Sequence, residues 1–314
     1  MKKSKLLFGG IALSLALTAC SSGSGETGVR ASTKPYMTVD GAEISSKDYY
    51  KQYDFFASIY ALNQNLGNSV SSMMVRDQFI TNDLEKNGVT IPEEEYKTQI
   101  DEAIENLGGQ ESYEEYLDFM GIDEELFEQN IKNNYKNTKH QEWYTSKHPV
   151  SEEDINAYYE ENKSNLDYVE AKHILVADEE TAKQVKARLD AGEDFKTVSD
   201  ELSIDEAAKQ RGGELGRVNR AMYDPTFVDA AFALEPGTTS EPVQTQHGFH
   251  IIQVSSSNIG AENHKDQIED ALEARKHSEY VQSSISQLDV KLFDRNGEEV
   301  SNVDQQNIPG NNNN

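Results

Sequence analysis

The chain has 314 residues, of which 56 are acidic and 29 basic, giving a formal net charge of −27. A surface this negative repels nucleic-acid phosphates and anionic lipid headgroups, so composition argues against both as partners. The length leaves room for two domains of ordinary size.

Residues 1–19 have the layout of a secretory signal peptide. Three lysines stand among the first five residues, and the apolar run LLFGGIALSLAL follows, which is short for a membrane-spanning helix. Cys20, the only cysteine, comes directly after the tripeptide LTA, which resembles a bacterial lipobox. The pattern predicts an exported lipoprotein with its lipid on Cys20. The alternative is an incidental cysteine in an ordinary signal peptide, and a single cysteine excludes an intramolecular disulfide.

Low-complexity segments flank the predicted folded body. Residues 20–34 are small and polar without apolar periodicity, which predicts a flexible tether. Residues 301–314 end in NIPGNNNN and are predicted to be a disordered tail.

Residues 35–165 are predicted to form a mainly helical segment. It opens with a hairpin at Asp40-Gly41, and glycines end two of its helices. The acidic stretch 93–128 lacks the ligand spacing of a calcium loop, which favours solvated helix faces. Two interpretations of the apolar residues at helical spacing stay open, a core and an adaptable groove; these residues include Tyr49, Tyr53, Phe56, Tyr60, Met73, Met74 and Met120.

Residues 166–257 change period and predict a compact α+β domain in the order β–α–α–loop–α–β–β. A helix with Ser151 and Asp154 as a capping pair leads into it. Residues 258–300 return to helix and are too short to bury a core alone. We therefore expect them to pack on the N-terminal segment, which makes the middle domain an insertion.

Five short motifs in the middle region carry the functional signal: AKHIL from Ala171, SID from Ser203, GGELG from Gly212, the stretch 222–227, and QHGFHII from Gln246. Each is weak alone, since a histidine in a strand is more often structural than catalytic. In this order they resemble the parvulin family of peptidyl-prolyl isomerases across nearly the whole region. With the lipoprotein signal and the helical flanks, the chain resembles the extracytoplasmic PrsA-type foldases of Gram-positive bacteria.

The resemblance implies an α+β fold, with a parvulin-type domain (a small mixed sheet with surrounding helices) inserted between helical chaperone segments. Two imidazoles would face each other across the site through a hydrogen-bond network. The catalytic residues it implies are His173, Asp205, His250 and, less securely, His247. The residues it implies for the proline ring are Leu215, Met222 and Phe227. Four residues separate the last two, one more than in most family members.

The implied function is that of a membrane-anchored foldase that isomerises prolyl bonds in unfolded exported proteins. Twisting an amide needs no covalent intermediate, so no cofactor is expected. The seven histidines show no metal-binding motif such as HExxH, and no metal or nucleic acid is expected. A homodimer stays open. The first alternative is a holdase that binds proline-containing segments without turnover. The second, a solute-binding lipoprotein, would require two α/β lobes, and only one small domain is predicted.

Overall fold

The computed structural model describes residues 32–59, 66–293 and 298–299. The predicted signal peptide, Cys20, Tyr60, the tail and all but the last three tether residues lie outside these ranges. Contacts divide the described residues into two compact units. The first unit comprises those up to Lys136 together with those from Ser284 onward, and the second is Asn137–Ser283. None of the described helices combines the length and apolar character needed to cross a membrane.

The first unit contains a three-stranded antiparallel sheet in the order β2-β1-β7. Strands β1 (Pro35–Val39) and β2 (Ala42–Ser45) form the predicted hairpin, and β7 is Val290–Leu292. The two turn residues, Asp40 and Gly41, have φ of 48° and 82°. Asp and Gly tolerate this left-handed backbone better than most residues, and positive φ at both positions suits a two-residue hairpin turn.

Five helices follow the hairpin: α1 (Ser46–Ile59), α2 (Leu66–Lys86), α3 (Glu93–Asn106), α4 (Gln110–Met120) and α5 (Glu124–Lys147). Their apolar stripes mostly form core. Tyr49 is 5% exposed and stacks on Tyr36 at 3.7 Å between ring centroids. The stripe residues that pack partly buried against these cores are Tyr53, Phe56, Met74 and Met120.

The second unit is built on a four-stranded sheet in the order β4-β3-β6-β5. Its elements in chain order are α6 (Glu152–Leu166), β3 (Tyr168–Val176), α7 (Glu179–Asp190), α8 (Phe195–Leu202), α9 (Glu206–Lys209), β4 (Glu214–Asn219), α10 (Pro225–Phe232), β5 (Val243–Thr245), β6 (Gly248–Asn258) and α11 (Ala261–Ile285). The predicted α+β class is confirmed. All pairings are antiparallel rather than mixed, because β4 and β6 both run against β3.

Both faces of this sheet are covered by helices. Ile174 and Ile251 pack with α7 and α8 on one face. Val169 and Ile252 pack with α10 on the other. Because side chains alternate along a strand, His173 and His250 point to the α10 face.

The C-terminal helix α11 contributes to more than the predicted docking on the N-terminal segment. Ile268 and Leu272 pack with Ile155 of α6 in the second unit. Its last residue, Ile285, and residues after it, including Leu288 and Leu292, pack on the core of the first unit. The boundary between the units therefore falls within α5 and α11 rather than at the ends of the predicted domain.

Candidate active site

His173 on β3 and His250 on β6 lie side by side on one face of the sheet. In the strand register His173 opposes Ile252 and Leu175 opposes His250, so the two histidines are diagonal neighbours. Their Nδ1 atoms are 3.0 Å apart. The residues are 4% and 6% exposed, so nearly all of both rings is shielded from water.

Asp205 reaches the first of these rings from the loop before α9. That loop is fixed against β3, since Ile204 N donates to Leu175 O at 2.8 Å. Asp205 caps α9, accepting from Ala208 N on Oδ1 at 3.0 Å. Its Oδ2 lies 3.0 Å from His173 Nε2. One carboxylate thus serves both a helix cap and an imidazole.

Thr245 completes the network at its other end, and sequence reasoning missed it. Its Oγ1 lies 2.8 Å from His250 Nε2 and accepts from His247 N at 3.1 Å. Thr245 opposes Gly248 across the β5–β6 turn, which places its side chain beside His250. The available signal was a hydroxyl residue five positions before a buried histidine across a glycine-containing turn.

The four side chains admit one order of protons when the carboxylate is ionised and both rings are neutral. Asp205 can only accept, so His173 Nε2–H donates to it. The remaining His173 Nδ1 accepts from His250 Nδ1–H, and His250 Nε2 accepts from the hydroxyl of Thr245. Every hydrogen bond in this chain, which we call the Thr245–Asp205 chain, is satisfied without a buried charge on either ring.

The pKa directions agree with this order. Burial lowers the pKa of His250 to about 4, and the neighbouring His173 and His247 act in the same direction. Burial also lowers the pKa of His173, against an opposing effect of Asp205. For Asp205 itself burial favours the neutral form, but the bonds from Ala208 and His173 outweigh it and the pKa falls. Near neutral pH the carboxylate is ionised and the rings are uncharged.

Phe227 supplies the apolar side of the site. Its ring stands edge-on to His250 with centroids 5.1 Å apart and to His173 at 5.9 Å. Asp224 caps α10 by accepting from Thr226 N at 2.9 Å, which fixes the first turn that carries Phe227. Leu215 packs against the same cluster. The arrangement forms an apolar cup beside the polar chain.

Two residues predicted for the site lie apart from this arrangement. The side chain of Met222 is on the surface, with the residue 77% exposed, because it precedes α10 in the loop where the longer spacing occurs. The ring of His247 is exposed and lies 3.4 Å from Gln246 Nε2. His247 contributes only its backbone N–H to the Thr245–Asp205 chain.

The position of Gly213 shows why a glycine stands at this place in the GGELG motif. Its φ is +91°, and a Cβ there would lie 2.7 Å from Phe195 Cε1 and 2.8 Å from the backbone oxygen of His173. Gly213 O accepts from His173 N at 2.9 Å. The motif therefore forms the start of β4 and lets the backbone approach His173 closely. Among the described residues, no group of three His, Cys, Asp or Glu is arranged to hold a metal ion.

Two family models match the chain. Residues 163–256 match the PPIC-type PPIase domain and residues 2–141 the SurA-like N-terminal domain. The foldase protein PrsA of Halalkalibacterium halodurans is 32% identical over 307 residues, covering 94% of this chain and 86% of that one. Foldase protein PrsA 4 of Bacillus cereus is 28% identical over 304 residues, covering 94% and 96%. A crystal structure described as peptidylprolyl isomerase (PrsA) from Bacillus cereus shows 27% identity over 82% of this chain and 91% of that one, with a TM-score of 0.35.

Proposed function

The chain belongs to the PrsA foldase family, and from this we propose that its second unit accelerates the cis–trans isomerisation of prolyl peptide bonds. The site is the Thr245–Asp205 chain with the apolar cup beside it. The observation that carries the proposal is the contact of Asp205 Oδ2 with His173 Nε2 and of His173 Nδ1 with His250 Nδ1, each at 3.0 Å, which holds one carboxylate and two imidazoles together beside the ring of Phe227.

To accelerate prolyl isomerisation, the protein needs only to bind the peptide and to surround the rotating amide with suitable polar and apolar groups. The barrier to rotation about the peptide bond is about 20 kcal/mol, and a thousandfold acceleration requires about 4 kcal/mol of preferential transition-state stabilisation. As the amide twists, the C–N bond loses double-bond character and the carbonyl oxygen loses negative charge. A site that disfavours the polar, planar form relative to the twisted one lowers the barrier.

Each part of the site has a role in that scheme. The proline ring packs in the cup formed by Phe227 and Leu215, which excludes water. The negative charge of Asp205, adjacent to the carbonyl before proline, repels the planar form more than the twisted form. The two histidines hold Asp205 in position and present uncharged faces. No step needs a nucleophile or a cofactor.

A protease-coupled isomerisation assay on a proline tetrapeptide tests the assignment in the full chain. We expect Asp205→Ala and His250→Ala to lower kcat/KM at least about tenfold, equivalent to about 1.4 kcal/mol. His247→Ala is the matched control. The ring of His247 is not part of the Thr245–Asp205 chain, so this variant should retain nearly full activity. Unchanged activity in both site variants, with circular dichroism showing an intact fold, refutes the proposal.

A second function, holding unfolded clients without turnover, is favoured by one observation. Met222 is 77% exposed, so the cup is open on the side where family resemblance implied a wall. Suppression of aggregation during refolding of an exported enzyme measures holding directly. A holdase predicts that Asp205→Ala is as effective as the wild-type chain and that neither has measurable isomerase activity.

The proposed setting is the extracytoplasmic face of the cell membrane of a Gram-positive bacterium, with the lipid on Cys20 as the anchor and unfolded exported proteins as clients. The lipobox-like LTA-Cys sequence supports it. Metabolic labelling with palmitate should mark the wild-type chain and not Cys20→Ser, and the variant should leave the membrane fraction. Labelling of both, or of neither, contradicts the anchor.

A further inference from the structure

A cavity of about 410 Å³ lies in the first unit and shares no lining residue with the prolyl site. Its volume is in the range of sites that hold small molecules or peptide side chains. Three helices and the end of β2 form it, and we call it the α1–α2–α5 groove. Its lining residues are Glu43, Ile44, Asp48, Lys51, Gln52, Met74, Asp77, Gln78, Thr81, Glu125, Leu126, Gln129, Asn133 and Lys136.

Asp77 is an ionisable group that lines this groove. Its Oδ2 accepts one hydrogen bond, from Asn133 Nδ2 at 2.9 Å. Among the described residues, no cation pairs with Asp77. Lys136, on the facing helix, donates instead to Thr81 Oγ1 at 3.2 Å. Burial raises the pKa of Asp77 to about 6, despite the opposing effects of Asn133, Arg76 and Lys136. A carboxylate in this position gains from a cation brought to it.

The charge of the groove favours a cationic ligand. Its lining carries four carboxyl groups and two ammonium groups, and one of the ammonium groups, on Lys51, lies 3.7 Å from Glu125. The chain as a whole has a net charge of −27, so long-range attraction also favours basic ligands. The absence of a three-ligand cluster among the described residues argues against a metal ion as that ligand.

Carboxamides supply the rest of the polar lining. Gln129 Nε2 donates to Asn133 Oδ1 at 2.8 Å, and Asn133 in turn donates to Asp77, so a relay of amides orients the carboxylate. Gln52 and Gln78 lie along the same groove. A carboxamide offers one donor group and one acceptor, as a peptide bond does. Such a set suits main-chain recognition independent of sequence.

We propose that the α1–α2–α5 groove binds an extended polypeptide segment through one basic side chain, with Asp77 holding its guanidinium or ammonium group and the carboxamides bonding the flanking peptide groups. The ligand is then a basic, unfolded stretch of a client. Binding here is independent of proline and of the prolyl site.

Fluorescence anisotropy with a short, proline-free peptide of alanine and serine around one arginine tests this in the full chain. The matched probe carries citrulline, which has nearly the same shape and no charge. We expect the arginine peptide to bind about tenfold more tightly than the citrulline peptide. Asp77→Asn should abolish that difference, whereas Asp118→Asn, the same change at an exposed position of the first unit, should retain it.

The pH dependence gives a second signature. Protonation of Asp77 removes the charge that binds the peptide, so affinity should fall as pH decreases through about 6 in the wild-type chain and not in Asp77→Asn. Binding should also shift the Asp77 carboxyl carbon resonance towards the ionised form at pH 6, a reading that needs no variant. The charged groups around Asp77 are Glu43 of β2, Asp48 and Lys51 of α1, Arg76 of α2, and Glu125 and Lys136 of α5.

Three outcomes overturn the proposal. The first is equal affinity for the arginine and citrulline peptides. The second is a difference that survives in Asp77→Asn. The third is Asp77-dependent binding of Ca²⁺ that the arginine peptide does not displace, which would assign the groove to a metal. Prolyl isomerisation of the tetrapeptide should be unchanged in Asp77→Asn, so failure here and failure of the isomerase proposal are separate results.

Discussion

His173 and His250 meet through their Nδ1 atoms at 3.0 Å, each ring on its own strand. One nitrogen must donate and the other accept, so protonating both rings would set two N–H groups against each other. The protonation states of the two rings are therefore coupled. Burial keeps both rings neutral. As the pH is lowered, the two rings should take up protons as a coupled pair and not as independent residues.

The free energy of unfolding should decrease as the pH is lowered, because of this pair of buried histidines. The unfolded His250 takes up a proton near pH 6.5, whereas the folded one does so only near pH 4. The stabilisation is therefore complete above pH 6.5 and is lost as pH falls towards 4. The lowered pKa of His173 acts in the same direction, so the loss belongs to the coupled pair. Urea unfolding at a series of pH values measures this loss.

The matched variants for that measurement are His250→Gln and His247→Gln. Between pH 6.5 and 4 the free energy of unfolding of His250→Gln should change less steeply than that of the wild-type chain. His247→Gln changes an exposed ring and should keep most of the slope of the wild-type curve, because burial is the main cause of the low pKa of His250. Parallel curves for His250→Gln and the wild-type chain would rule out the buried neutral pair.

Thr245 should act as a positioning residue for His250. Thr245→Val keeps the shape but removes the hydroxyl that donates to His250 Nε2, and the ring loses its defined orientation. We expect kcat to fall roughly tenfold and the free energy of unfolding to fall by about 1 kcal/mol. Thr245→Ser should restore both. Imidazole ¹⁵N spectra should show the His250 tautomer change in the valine variant alone, which a merely structural role would not produce.

The exposed position of Met222 predicts a small role for it. Met222→Ala should change kcat/KM by less than about threefold, whereas Phe227→Leu, which removes the ring beside both imidazoles, should lower it at least about tenfold. Tetrapeptide assays on both variants make the comparison. An equally large loss in Met222→Ala would mean that Met222 moves over the substrate on binding.

Two glycines with nearly the same backbone separate the conformational from the steric cost of a side chain. Gly213 and Gly192 have φ of +91° and +87°, but only at Gly213 would a Cβ meet other atoms within 4 Å. Gly192→Ala should cost about 1 kcal/mol for the left-handed backbone. Gly213→Ala should cost about 3 kcal/mol, since the alanine would press on Phe195 and the His173 carbonyl. Equal costs by urea unfolding would contradict the close approach.

Sequence reasoning predicted the α+β class, which the structure confirms, and named three side chains that the structure brings together. His173, Asp205 and His250 sit in short motifs with fixed types at fixed spacing, and such patterns are readable along the chain. Their catalytic role stays a prediction. The hairpin turn at Asp40-Gly41 was equally predictable from the sequence, because few residue types accept the positive φ that such a turn requires.

The misses have a common physical origin, which is that sequence does not show the direction of a side chain in a loop or short strand. Thr245 lies on a three-residue edge strand, too short for periodicity to assign its face. Met222 and His247 carry suitable chemistry but lie at turns, where direction depends on local backbone. Strand β4 was taken for a loop because its glycines allow a close approach that propensity does not reveal.

The pairing of β1 with β7 has a consequence for the order of folding. Met37 lies opposite Leu292, so the central strand of the first sheet keeps one open edge until residues 290–292 pair with it. The intervening prolyl domain has all its strands within 168–258 and can assemble earlier. The sheet of the prolyl domain can therefore close before the sheet of the first unit, which pairs strands from both sides of that domain.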